Sequence, residues 1–132
     1  MTDVPALRSF PILYVANVNR SAAFYGRLGY EPYFRFPDTD EPGYVGMRRG
    51  DSYLGVTTDA IPQDMFGRAA GSGPRFELFT YVDDVDATVT SLRDAGVEVL
   101  REPEDMPWGE RIAYVSDPDG NPVTLAAPSR LP

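Results

Sequence analysis

An internal repeat limits what this chain can fold into more than any other feature. Phe10–Gly29, FPILYVANVNRSAAFYGRLG, and Glu77–Gly96, ELFTYVDDVDATVTSLRDAG, align at one constant offset that sets Tyr14-Val15 on Tyr81-Val82, Asn17-Val18 on Asp84-Val85 and Gly29 on Gly96. Each copy runs from a β-rich stretch to an Asn or Asp suited to capping a helix, then through about ten residues of helical pattern closed by Gly. Val18, Ala22 and Tyr25 in the first copy, and Val85, Val89 and Leu92 in the second, recur at four- and three-residue spacing and predict the buried helix faces.

The stretches after each helix correspond as well. Glu31–Phe36, Tyr44–Arg48 and Ser52–Thr57 are predicted strands, with Gly50-Asp51 turning the last two as a hairpin. Val97–Arg101, Arg111–Ser116 and Pro122–Ala126 are their counterparts, and Asp117-Pro118-Asp119-Gly120-Asn121 supplies the turn. The chain therefore reads as α+β: a βαβββ module over residues 1–58, a linker over 59–74 and a second βαβββ module over 75–132. One compact domain is expected, because neither half could bury both faces of its sheet alone. The linker is assigned by its Pro, Gly and Ser content; Met65 and Phe66 within it are expected to pin it to the core rather than to close over a groove as a lid.

The chain has no His and no Cys. Ser-His and Cys-His nucleophile pairs, imidazole metal sites and disulfides are excluded, leaving carboxylates, Tyr, Arg, Ser/Thr and backbone amides for any chemistry. A formal charge of −8, with every cationic side chain an Arg, argues against nucleic acid; it attracts cations, or serves solubility alone. No apolar run approaches the ~20 residues of a membrane span, and MTDVPALRSF has no signal-peptide core, so a cytoplasmic protein with no membrane partner is expected. The Asp-Pro-Asp-Gly-Asn segment lacks the spacing and distal Glu of a calcium loop and reads as a turn with Asx hydrogen bonding.

The tandem halves, the V-x-N-V-x-R-S-x-x-F-Y run at Val15–Tyr25, the D-D-V-D run at Asp83–Asp86, and Pro107-Trp108-Gly109 followed by D-P-D-G-N together resemble the vicinal oxygen chelate superfamily. That group includes glyoxalase I, extradiol dioxygenases, fosfomycin-resistance enzymes and bleomycin-resistance proteins. The resemblance runs from Ser9 to Pro128 and implies a cupped mixed sheet around a cavity, often completed across a homodimer. It also implies where a divalent metal would be held in the family's enzymes: on the first and last strands of each half. Here those positions carry over to Phe10, a residue within Tyr53-Leu54-Gly55, Glu77, and Thr124, where metal-binding members have Glu. A lone carboxylate cannot hold a catalytic divalent ion, so no metal and no cofactor is expected. The resemblance is nearest to the metal-free bleomycin-resistance type, acidic homodimers that sequester a cationic antibiotic.

Strand alternation, applied to those positions, assigns Phe10, Ile12, Tyr14, Glu77, Phe79, Tyr81 and Thr124 to the cavity face, with Leu13, Val15, Leu78 and Val82 under the helices. Trp108 is placed at the cavity mouth by family position, and Arg111 enters the candidate site as a partner for Glu77. The expected function is non-catalytic sequestration of a cationic aromatic natural product, of the bleomycin-like antibiotic-resistance type, in a cup at a homodimer interface, by stacking and by the Glu77 charge. Two alternatives stand beside it: a metal-independent enzyme with Glu77 as base and Tyr14 or Tyr81 as acid, and a glyoxalase- or dioxygenase-like metalloenzyme, which the ligand count disfavours. The plain structural alternative is that the rings pack on one another and that Glu77 pairs with Arg111 or Arg75.

Overall fold

The repeat takes the form of two four-stranded mixed sheets, each with a helix on one face. A computed structural model of the chain describes residues 9–129. The chain divides into two units, Met1–Gly71 and Ser72–Pro132. The first contains β1 (Ile12–Val15), α1 (Val18–Gly26), β2 (Glu31–Phe36), β3 (Tyr44–Arg49), β4 (Ser52–Thr58) and a short helix α2 (Ile61–Phe66). The second contains β5 (Leu78–Tyr81), α3 (Val85–Asp94), β6 (Val99–Asp105), β7 (Glu110–Ser116) and β8 (Pro122–Pro128). The sheet orders are β1-β4-β3-β2 and β5-β8-β7-β6, so in each unit the first strand lies parallel to the last and the other neighbours are antiparallel.

Register settles which residues correspond. Ile12 pairs with Gly55, and its repeat equivalent Phe79 pairs with Thr124. Gly55 is therefore the first unit's counterpart of Thr124, which resolves the three-residue choice left open by the sequence.

The helix starts follow the capping chemistry. Asn17 and Asp84 are extended, and their side chains accept from the Arg20 and Ala87 amides at 2.9 and 3.0 Å, satisfying donors that the first turn leaves over. Gly29 and Gly96 close the helical segments at φ +95° and +88°, a region other residues enter only with strain. α3 buries Val85, Val89 and Leu92, the predicted face. α1 buries Val18, Ser21, Phe24 and Tyr25, whereas Ala22 is only half-buried. Its face is turned toward the Phe24 and Tyr25 rings, which meet edge to face at 4.9 Å and bury far more area than an Ala methyl. Under these helices lie Leu13, Val15, Val45, Met47, Leu54 and Val56 in the first unit, and Ala113, Val115, Val123 and Leu125 in the second.

The segment read as a linker contains α2, which starts at Ile61-Pro62 and is closed by Gly67 at φ +74°. The expected pin is not formed by Met65 and Phe66, which are 73% and 58% exposed; the buried residue of α2 is Pro62. The Asp-Pro-Asp-Gly-Asn segment is a tight turn, as expected. Buried Asp117 accepts from the Asp119 and Asn121 amides at 2.9 and 2.8 Å and from Asn121 Nδ2 at 3.0 Å, while Asn121 Oδ1 accepts from the Arg75 amide at 2.9 Å. The turn thus ties down the chain entering β5. Among the described residues no helix is long and apolar enough to cross a membrane.

Candidate functional site

On β5 the alternation is clear: Thr80 is buried, while Phe79 and Tyr81 are 44% and 56% exposed with their rings edge to face at 5.5 Å. Glu77 lies just ahead of the strand and is exposed. Its carboxylate accepts from Thr124 Oγ1 at 2.7 Å. Thr124 is on the predicted face but has no exposed surface, so it meets a ligand only through the carboxylate it holds.

Arg111 does not join this group. Its Nε and Nη2 donate to Asp86 on α3 at 2.8 and 3.0 Å, and its Nη1 donates to Asp105 at 3.2 Å. Strand parity explains the correction, because Arg111 alternates with buried Ala113 and Val115 on the helix side of the sheet. The bonds to Asp86 first, and to Asp105 next, push the guanidinium pKa above its ordinary value. An opening of about 350 Å³ at the start of α3 is lined by Asp83, Asp84, Asp86, Asp105 and Arg111. It lies away from the rings, and two of its carboxylates are already paired with Arg111.

The sequence reading missed Glu110, the first residue of β7. Its carboxylate accepts from Tyr81 Oη at 2.7 Å through one oxygen and from Trp108 Nε1 at 2.8 Å through the other. Trp108 is 61% exposed, on a turn closed by the Gly109 amide donating to Met106 O at 3.1 Å and the Met106 amide donating to Glu110 O at 2.7 Å. The indole is therefore oriented by its N–H rather than by packing. The bond to Glu110 is the main cause, ahead of burial and the Glu110 charge, that raises the Tyr81 pKa above 10.0. Register could have revealed this residue. A turn that pairs Ser116 with Pro122 sets Tyr114 beside Thr124, Ile112 beside Ala126 and Glu110 beside Pro128, all on the Phe79 and Tyr81 face.

In the first unit, Ile12 is 47% exposed and Tyr14 half-buried, on the side opposite Leu13 and Val15. Phe10 is half-buried and precedes β1, where the Pro11 carbonyl accepts from the Gly55 amide at 2.9 Å. Gly46 and Gly55 face each other across β3 and β4, and tyrosine rings fill the room they leave. A Cβ on Gly55 would lie 2.5 Å from Tyr44 Oη, and one on Gly46 would lie 2.9 Å from Tyr33 Cζ. Tyr33 reaches this face from a β-bulge between Pro32 and Phe34 and meets Tyr53 edge to face at 5.7 Å. Phe34 and Tyr44 meet at 6.1 Å. Burial raises the Tyr33 and Tyr44 pKa values, so these phenols remain hydrogen-bond donors. Single glycines in strands are the only sequence signal for this floor.

The four positions implied for a metal hold Phe10, Gly55, Glu77 and Thr124. Their side chains offer one carboxylate and one hydroxyl, the hydroxyl already donating to the carboxylate, a set that does not fit a divalent ion. Among the described residues, no three His, Cys, Asp or Glu side chains are grouped to hold one.

Residues 8–125 match the model of the Glyoxalase/Bleomycin resistance protein/Dioxygenase superfamily. An uncharacterised protein of Mycobacterium tuberculosis is 29% identical over 100 residues, which are 73% of this chain and 59% of that protein. A Mycobacterium bovis counterpart is matched over 66% of its length, so the chain spans about three-fifths to two-thirds of these curated relatives. Among solved structures, a glyoxalase-related enzyme from Fulvimarina pelagi is 27% identical with a TM-score of 0.74, over 90% of this chain and 86% of that one. The hypothetical protein SA1046 from S. aureus, 23% identical with a TM-score of 0.76 over 94% and 95% of the two chains, has the same fold.

Proposed function

Because the chain belongs to the glyoxalase/bleomycin resistance protein/dioxygenase superfamily, we propose that it uses the family scaffold without a metal, to bind and sequester an aromatic, positively charged small molecule such as a bleomycin-type antibiotic. The observation that carries this reading is the Thr124–Glu77 hydrogen bond, formed between two positions where the family's enzymes place metal ligands. A carboxylate held by a neutral hydroxyl keeps its charge for a ligand cation. The exposed Phe79, Tyr81 and Trp108 rings supply surface for stacking and cation–π contact, and the charge of −8 attracts cations from a distance. The binding form in this proposal is a cytoplasmic homodimer.

Isothermal titration of the purified protein against bleomycin-type and other cationic aromatic drugs tests the reading. Saturable heat with at least one of them is expected. No heat at protein concentrations well above micromolar would sink it, and so would stoichiometric nickel, zinc, manganese or iron in protein purified without chelator.

A further inference from the structure

We infer that the open face of the second unit is a two-anchor strip selective for elongated aromatic dications, with Glu77 and Glu110 each receiving one positive group and Phe79 and Tyr81 carrying the aromatic span between them. The inference rests on the binding reading above and narrows its ligand.

What carries the argument is that, among the described residues, Glu77 and Glu110 border the Phe79 and Tyr81 face without an arginine partner, unlike the ion-paired carboxylates of this unit. Glu102 pairs with Arg93, Glu104 with Arg101, and Asp86 and Asp105 with Arg111. Glu77 and Glu110 are held by neutral donors instead: the Thr124 hydroxyl on one, and the Tyr81 hydroxyl and Trp108 indole on the other. An ionised carboxylate has about four acceptor sites, so Glu110 keeps roughly two and Glu77 roughly three for a charged donor. A charge-assisted bond from an amidinium or ammonium is stronger than one from a neutral donor, and the neutral donors already present fix each carboxylate in orientation.

The spacing sets the length of the ligand. Glu77 is bonded at Thr124, and Glu110 on β7 lies opposite Pro128, which shares with Thr124 both strand β8 and its face. Four residues of strand separate these points, roughly 13 Å at ~3.3 Å per residue. Between them stand Phe79 and Tyr81, exposed and already edge to face, a surface that prefers flat rings to aliphatic chains. A single ammonium satisfies one anchor; a rigid aromatic body with a cation at each end satisfies both.

The test compares diminazene, an aromatic diamidine, with benzamidine, a single-ended analogue, by isothermal titration and Trp108 fluorescence on the full chain. Diminazene is expected to bind at least about tenfold more tightly, the equivalent of one further charged contact. Glu77→Gln, whose amide oxygen still accepts from Thr124 Oγ1, and Glu110→Gln, which keeps an oxygen acceptor for only one of its two donors, are each expected to bring diminazene close to the benzamidine affinity, the first at unchanged Tm. Equal affinities for the two probes, with no effect of Glu110→Gln, would overturn the two-anchor inference while leaving single-cation binding intact. No binding of either probe, together with no heat from the drug panel, would overturn the binding reading and this inference with it.

Discussion

Thr124 Oγ1 donates to Glu77 Oε2 across 2.7 Å, so a threonine with no exposed surface fixes an exposed carboxylate at the edge of an aromatic face. The pair joins the last strand of the second unit to the residue that leads into its first. Thr124→Val keeps the side-chain shape and removes the donor. It is expected to lower stability by about 1 kcal/mol in urea unfolding and to weaken cation binding, because Glu77 is no longer held. An unchanged affinity would mean that the orientation of Glu77 is immaterial.

Gly55→Ala tests the tyrosine floor of the first unit. The new methyl would start 2.5 Å from Tyr44 Oη, an overlap that the ring relieves by swinging away rather than by breaking the sheet. A loss of about 1–2 kcal/mol is expected, with a change in the near-ultraviolet circular dichroism of the tyrosines. Combining it with Tyr44→Leu should remove most of the added loss, and strict additivity of the two substitutions would contradict the packing described.

The Asp117–Asn121 turn acts as a clamp on β5. Asn121→Ala removes the part-buried acceptor of the Arg75 amide and a buried donor to Asp117. An unfolding loss of about 2–3 kcal/mol is expected from the stranded groups. Hydrogen exchange should locate the loosening at the Arg75 amide and the start of β5; an effect confined to the turn itself would count against the clamp.

Tyr81 supplies an alkaline signature. Its phenol pKa lies above 10.0, chiefly because it donates to Glu110. A group whose pKa is raised on folding contributes its stability in full below the unfolded value and loses it as pH rises through the folded value. The contribution should therefore be intact at neutral pH and fade only above about pH 10. Absorbance titration of tyrosinate should show one phenol moving to lower pH in Glu110→Gln and vanishing from the same range in Tyr81→Phe. Identical curves for the wild type and Glu110→Gln would contradict the bond's role.

The sequence made the βαβββ repeat legible because capping and closure chemistry is local: Asn17, Asp84, Gly29 and Gly96 act within one turn of themselves. Val85, Val89 and Leu92 were readable for the same reason, since a helix face is written in its own spacing. Residues whose place depends on partners were harder. Charge alone offers Glu77 either Arg111 or Arg75, but strand parity turns Arg111 to the helix side, where it pairs with Asp86. Glu110 was overlooked because its partners, Tyr81 and Trp108, come from another strand and a turn, and only hairpin register brings them together. Met65 and Phe66 read as residues that should be covered because they are large and apolar, but α2 leaves them exposed and buries Pro62. The Tyr33 and Tyr44 floor depends on two glycines that meet only once β3 and β4 pair.

The most direct test of the central claim is isothermal titration of chelator-stripped protein with an aromatic monocation and its neutral isostere, benzamidine against benzamide. Metal-free binding through a carboxylate on an aromatic face predicts saturable heat for benzamidine in the absence of metal and at least about tenfold weaker binding of benzamide. Equal affinities, or binding that appears only when a divalent metal is restored, would contradict it.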